Sequence, residues 1–205
     1  MKVIDYLKKY SFYALLAAGI FITGCNDDDA APEEENELEV ITDVKLIFTN
    51  DADPSDVVEA TATDPDGAGV QELEISGEIT LKVSTSYTLT YEILNALETP
   101  AEDIGLEIQE EDDEHQFFYS FSNDAFASPT GDGNIDTASD PINYDDRDGN
   151  GNPLGYTTSW ETSATPLTGG TFTARLQHQP GEKTATSGAT DGDSDFDLEF
   201  VLNIE

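Results

Sequence analysis

Only two histidines occur in this sequence, His115 and His178, and each is followed by glutamine. A neutral imidazole nitrogen is the commonest protein ligand for transition metals. In HQFFYSF, His115 falls on the same side of an alternating run as Phe117, Tyr119 and Phe121. In TFTARLQH, His178 falls with Phe172, Ala174 and Leu176. Both imidazoles are therefore expected to point inward at strand ends. If the two strands are neighbours, the rings together with Asp113 or Glu114 could bind a transition metal, and an aromatic-lined cleft could hold haem between them. The plainer alternative makes each histidine a hydrogen-bonded residue at the rim of the core.

A second chemistry is suggested by Asp146-Arg147-Asp148-Gly149-Asn150-Gly151, which fits D-x-[DN]-x-[DN]-G, the opening of a calcium loop. Alternating oxygens from Asp146, Asp148, Asn150 and Asn152 would converge on one ion while glycine permits the sharp turn. The match is incomplete, because position twelve is Thr157 where an EF-hand has a bidentate Glu. Other oxygen-rich turns are Asp64-Pro65-Asp66-Gly67, Asp132-Gly133-Asn134-Ile135-Asp136 and Asp191-Gly192-Asp193-Ser194-Asp195. Asp and Gly are also ordinary turn residues and need no ion. The segment Ser122–Pro153 has little periodicity and exceeds the roughly 12–15 residues beyond which loops are usually functional or disordered. It is expected to be ordered by an ion or to face a partner.

Enzyme chemistry finds no support in the motifs: there is no G-x-S-x-G elbow, no H-E-x-x-H, no Walker loop and no Rossmann fingerprint. No pair among the many carboxylates stands out as a glycosidase couple. The expectation is a non-enzymatic protein. Trp160, Tyr156 and Tyr144 could stack on a sugar, although core and loop packing is the better explanation.

Charge narrows the partners. The chain carries 8 Lys+Arg against 44 Asp+Glu, a net charge of −36. Without Lys2, Lys8, Lys9 and Asp5, which lie in the leader described next, 5 basic and 43 acidic residues remain, a net −38. Such a surface repels nucleic acid, whose binding needs Lys and Arg to neutralise phosphates, and it attracts cations. The only cysteine is Cys25, which excludes an intramolecular disulfide and Cys-ligated zinc.

Lys2, Lys8 and Lys9 form a positive start, and Ser11–Thr23 is an apolar run of signal-peptide length, short of the ~20 residues that span a bilayer. Ile22-Thr23-Gly24-Cys25 resembles the bacterial lipobox. That resemblance implies a signal peptide over 1–24 and a lipidated Cys25 carrying palmitate-like chains. Each buried CH₂ contributes about 0.8 kcal/mol, so several chains hold a protein durably at a membrane. Asn26-Asp27-Asp28-Asp29 resembles the acidic export signal of Bacteroidota surface lipoproteins, which implies the outer face of the outer membrane. Residues 25–37 otherwise read as an acidic tether that cannot bury a core and spans at most ~40 Å.

Positioning the candidate residues falls to the 38–205 domain. Period-2 alternation runs through Leu38, Val40, Val44, Leu46 and Phe48, then Ile79-Leu81-Val83, Tyr87-Leu89-Tyr91-Ile93, Phe172-Ala174-Leu176 and Phe196-Leu198-Phe200-Leu202-Ile204. Weaker runs lie near Val57–Thr63, His115–Phe121 and Leu154–Trp160. About eight short strands imply an all-β domain, an antiparallel immunoglobulin-like β-sandwich, with a closed β-barrel as the alternative. One helix is expected over Pro100–Asp113, with Thr99 as N-cap, Pro100 at N1 and Glu102 at N3. Its acidic tail, Glu110–Glu114, sits at the negative end of the dipole and calls for a compensating cation or fraying.

The acidic tether, TSYTLTYEIL, AEDI, DEHQFF and LQHQP together resemble the small acidic lipoproteins found beside TonB-dependent receptors in Bacteroidota, some loosely labelled type 1 periplasmic-binding. That label implies alternating βαβ units, which the single expected helix cannot supply. The resemblance implies a cell-surface lipoprotein that binds a small ligand or metal cation, accessory to a TonB-dependent receptor. The alternative is a structural or adhesive surface module.

Overall fold

The computed structural model describes residues 39–67 and 72–205. The leader, Cys25 and the acidic tether lie outside the described residues.

The alternating runs become strands with one buried edge. In β1 (Asp43–Asn50) every second residue from Val44 is buried, and in β5 (Ser86–Asn95) the same holds from Tyr87. Seven strands form the first sheet, in the order β3 (Glu74–Ser76), β2 (Val57–Thr63), β1, β5, β9 (Thr158–Thr162) and β8 (Phe126–Ser128), with β6 (Glu102–Asp103) pairing with the end of β5. The second sheet has the order β4 (Ile79–Leu81), β11 (Asp193–Ile204), β10 (Leu167–His178) and β7 (His115–Phe121). All pairings are antiparallel except β4 with β11.

The sheets face each other through aromatic side chains. Phe48 of β1 meets Phe172 of β10 edge-on at 5.5 Å, Tyr91 of β5 stacks on Phe117 of β7 at 4.5 Å, and Trp160 of β9 lies edge-on to Phe172 at 5.1 Å. Edge-to-face rings add roughly 0.5–1.5 kcal/mol per pair beyond their burial. The fold is thus the expected β-sandwich. Among the described residues no ladder joins the two sheets, so the barrel is not formed. Trp160 is part of this core, while the hydroxyls of Tyr144 and Tyr156 donate to the carbonyls of Phe117 and Tyr91, which explains all three by packing.

Three local expectations need correction. There are eleven strands instead of about eight, because β3, β6 and β8 have two or three residues each and are too short to show a period. The helix, α1, spans only Ile104–Glu110. Glu102 and Asp103 are drawn into the ladder beside Asn95 and Leu94, so the cap passes to Asp103, whose carboxylate accepts the Leu106 N–H at 3.3 Å. The Leu154–Trp160 strand starts at Thr158, because the Asp146 carboxylate takes the N–H groups of Gly155 and Thr157.

Ser122–Pro153 contains β8 and is fastened elsewhere by side-chain hydrogen bonds. Asn134 is buried, accepts the Tyr119 N–H and donates to Tyr144, whose hydroxyl donates to the Phe117 carbonyl. This long loop is therefore stitched to the outer edge of β7, the strand that carries His115.

Candidate metal centre

Strands β7 and β10 pair antiparallel with His115 directly opposite His178 and Gln116 opposite Gln177. Directly opposed residues have Cβ atoms about 4.5–5.5 Å apart. The condition left open by the sequence, that the two strands are neighbours, holds: the rings stack with centroids 4.5 Å apart and planes 3° from parallel. His115 is fully buried and His178 is 6% exposed. The end of β10 is confined by Gly192, at φ +75°, where a Cβ would overlap the His178 carbonyl oxygen.

The hydrogen-bond state of the rings is incomplete. His115 Nδ1 lies 3.3 Å from the Glu111 carbonyl oxygen, and since a carbonyl only accepts, Nδ1 carries the proton. His115 Nε2 therefore holds a lone pair, and it has no hydrogen-bond partner. Neither nitrogen of His178 has one either. Buried polar atoms are nearly always satisfied, so three such nitrogens in one place make a candidate ligand site.

Carboxylates surround the pair. One carboxylate oxygen of Glu111 and one nitrogen of each histidine lie within 4.8 Å of one another. Glu114 Oε2 is 3.5 Å from His178 Nε2, and Asp195 Oδ2 is 3.8 Å from His115 Nε2, the last two side chains both fully buried. Burial pushes the His115 pKa down to about 4, helped by the charges of His178 and Lys183 and opposed by the bond to Glu111. Burial pushes the Asp195 carboxyl up to about 7, helped by the charges of Glu39 and Asp193 and opposed by the Glu39 backbone. His115 is accordingly neutral at neutral pH, the state that ligates metals.

Stacked rings also limit the chemistry. A metal binds imidazole near the ring plane, and two parallel planes share no point. A single ion held by both histidines therefore requires one ring to turn about χ2, and the less buried His178 is the freer. Haem between the rings has no room, since a porphyrin would need to separate them to opposite faces.

The calcium candidates behave differently. Asp146 accepts from the Gly155 and Thr157 amides at 2.6 and 2.8 Å. Asp148 accepts from the Asn150 and Asn152 amides and from the Asn152 side chain. The two carboxylates accept from separate sets of N–H donors. Burial works to raise Asp148, yet the Asn152 and Asn150 hydrogen bonds and the Lys183 charge hold it below the usual carboxylate range. Lys183 Nζ stands 3.6 Å from Asp148 Oδ2 with both side chains fully buried, and it donates to the carbonyls of Asp112 and His115. The ammonium thus supplies the cation that the acidic turn after α1 was expected to need, and it also stands beside Asp148.

Sequence reasoning missed Glu111 and Lys183, and it named Asp195 only within an oxygen-rich turn, not as a neighbour of His115. For Lys183 a signal existed: only five basic residues follow the leader, so each is a strong candidate for a specific carboxylate. The chain matches no protein-family model, no curated protein and no solved structure.

Proposed function

We propose that this protein is a non-enzymatic lipoprotein, anchored through acylated Cys25 to the outer membrane and exposed at the cell surface, whose β-sandwich binds a transition-metal cation at His115 and His178. The observation that carries this reading is the opposed, buried histidine pair with three ring nitrogens lacking partners, set among Glu111, Glu114 and Asp195. Imidazole with carboxylate suits zinc, copper or nickel more than calcium, which takes oxygen ligands. The strongly negative chain concentrates cations near the site. Glu111 is exposed and offers a path inward from solvent.

A supply role fits the anchor: a surface protein that holds a scarce metal would serve a TonB-dependent receptor in the same membrane. The test is metal analysis of the purified mature protein, followed by zinc, copper and nickel titration. The expected result is about one tightly held ion per chain, lost in the His115→Ala, His178→Ala double variant. Equal binding by that variant, or none by the wild type, refutes the reading.

A further inference from the structure

The alternation Asp193, Asp195, Asp197 interleaved with Phe196 and Leu198 would turn all three carboxylates to solvent in a regular strand. Asp197 does remain exposed, but the Asp195 side chain is fully buried. The reason is a break in the β10–β11 ladder. Leu176 pairs with Phe196 while its neighbour Gln177 pairs with Ser194, leaving Asp195 as an extra residue. Such a bulge re-aims one side chain, and bulges are over-represented beside functional sites.

Here the bulge aims a carboxylate at His115. Asp195 Oδ2 lies 3.8 Å from His115 Nε2, a nitrogen buried without a hydrogen-bond partner, and the Asp195 carboxylate is itself buried, with the Glu39 backbone beside it. The distance is too long for a hydrogen bond. It suits one ion between the two atoms: bonds of about 2.0–2.2 Å from imidazole nitrogen and carboxylate oxygen span it with an open ligand angle.

The tautomer distinguishes this arrangement from one centred on Glu111. With Nδ1 donating to the Glu111 carbonyl, the free lone pair of His115 is on Nε2, the edge that faces Asp195. Metal-ligating histidines usually donate their other ring N–H to a carbonyl or carboxylate in this way.

We propose that Asp195 is the carboxylate ligand of the metal site, bound together with His115 Nε2 to a zinc-class divalent ion, and that Glu111 fixes the ring through its backbone carbonyl instead of ligating through its side chain. This rests on the metal-binding reading above and adds to it a ligand, a ring nitrogen and a metal class. His178 completes the set once its ring turns out of the stack.

Two measurements on the full mature chain test it. The first is zinc titration by calorimetry of the wild type, Asp195→Asn and Glu111→Gln, with circular dichroism checking that each variant is folded. The expected result is at least a tenfold weaker affinity for Asp195→Asn and a near-wild-type affinity for Glu111→Gln. Wild-type affinity in folded Asp195→Asn, or a loss confined to Glu111→Gln, overturns the assignment while leaving metal binding intact. Absence of zinc binding by the wild type overturns both. The second measurement needs no variant and so survives a folding defect: long-range proton–nitrogen NMR of the imidazoles with and without zinc. The His115 Nε2 resonance should move to a ligated position while Nδ1 stays protonated. Ligation through Nδ1 contradicts the proposal.

Discussion

Replacing Asp195 by asparagine should uncover a pH dependence that the metal-free wild type hides. His115 has a folded pKa of about 4 against 6.5 for the free side chain. Between those values the unfolded chain holds the extra proton, so stability is lost as pH falls from about 6.5 to 4, by about 3 kcal/mol in all. Asp195 works in the opposite direction. Its folded pKa of about 7 against 3.8 means that the folded chain holds the extra proton. That stabilisation is present at low pH and is lost as pH rises through 7, by about 4 kcal/mol.

In the wild type the two contributions overlap and largely cancel between pH 4 and 8. The groups facing them, His178 and Lys183 on one side and Glu39 and Asp193 on the other, are common to both proteins. Asp195→Asn deletes only the carboxyl contribution, so relative to wild type it should lose about 4 kcal/mol on going from pH 8 to 4. For a domain of this size that widens the gap in Tm by roughly 8–16 °C. The assay is urea or thermal unfolding of both proteins with chelator present, in half-unit pH steps, read as the difference between the two. Titration of the remaining carboxylates cancels in that difference. Parallel curves, within about 1 kcal/mol from pH 8 to 4, would refute the burial of the Asp195 carboxyl.

Lys183→Met should destabilise the domain by about 3 kcal/mol at pH 7, because it strands two carbonyls and removes the opposite charge beside the buried Asp148 carboxylate, and a denaturant melt no different from wild type would show that the ion pair is not formed. The Asp146 loop should keep its order in chelator, with slow hydrogen exchange at the Gly155 and Thr157 amides; rapid exchange on calcium removal would restore calcium as its organiser. Cys25→Ala should abolish acylation and membrane retention, and a palmitate-analogue label persisting in that variant would contradict the anchoring proposal.

How much of this was legible in the sequence depends on the range of the interaction. β1, β5 and β11 announce themselves because each buries one side and alternates over eight to twelve residues. The histidine pair was legible for the same reason, since both imidazoles share a side with aromatic or aliphatic neighbours and both end a strand. The register that sets them directly opposite was not, because pairing is decided by long-range packing. Asp195 was hidden by the bulge, which reverses the side chain's direction without any glycine or proline to mark it. The capping box at Thr99 and Glu102 failed because the β5 edge offered Glu102 and Asp103 better partners than a helix N-terminus did. The Asp146 loop matches a calcium pattern by composition, and its carboxylates also accept from amides that a sequence pattern does not place.

The most direct test of the metal-binding account is a competition titration with a chromogenic zinc chelator, comparing the mature wild-type protein with the His115→Ala, His178→Ala double variant at pH 7.5 and 5. The account predicts that the wild type withdraws about one equivalent of zinc at pH 7.5 and less at pH 5, as acid competes for the ligands, and that the double variant withdraws none at either pH. One equivalent held equally by both proteins would place the metal elsewhere and contradict it.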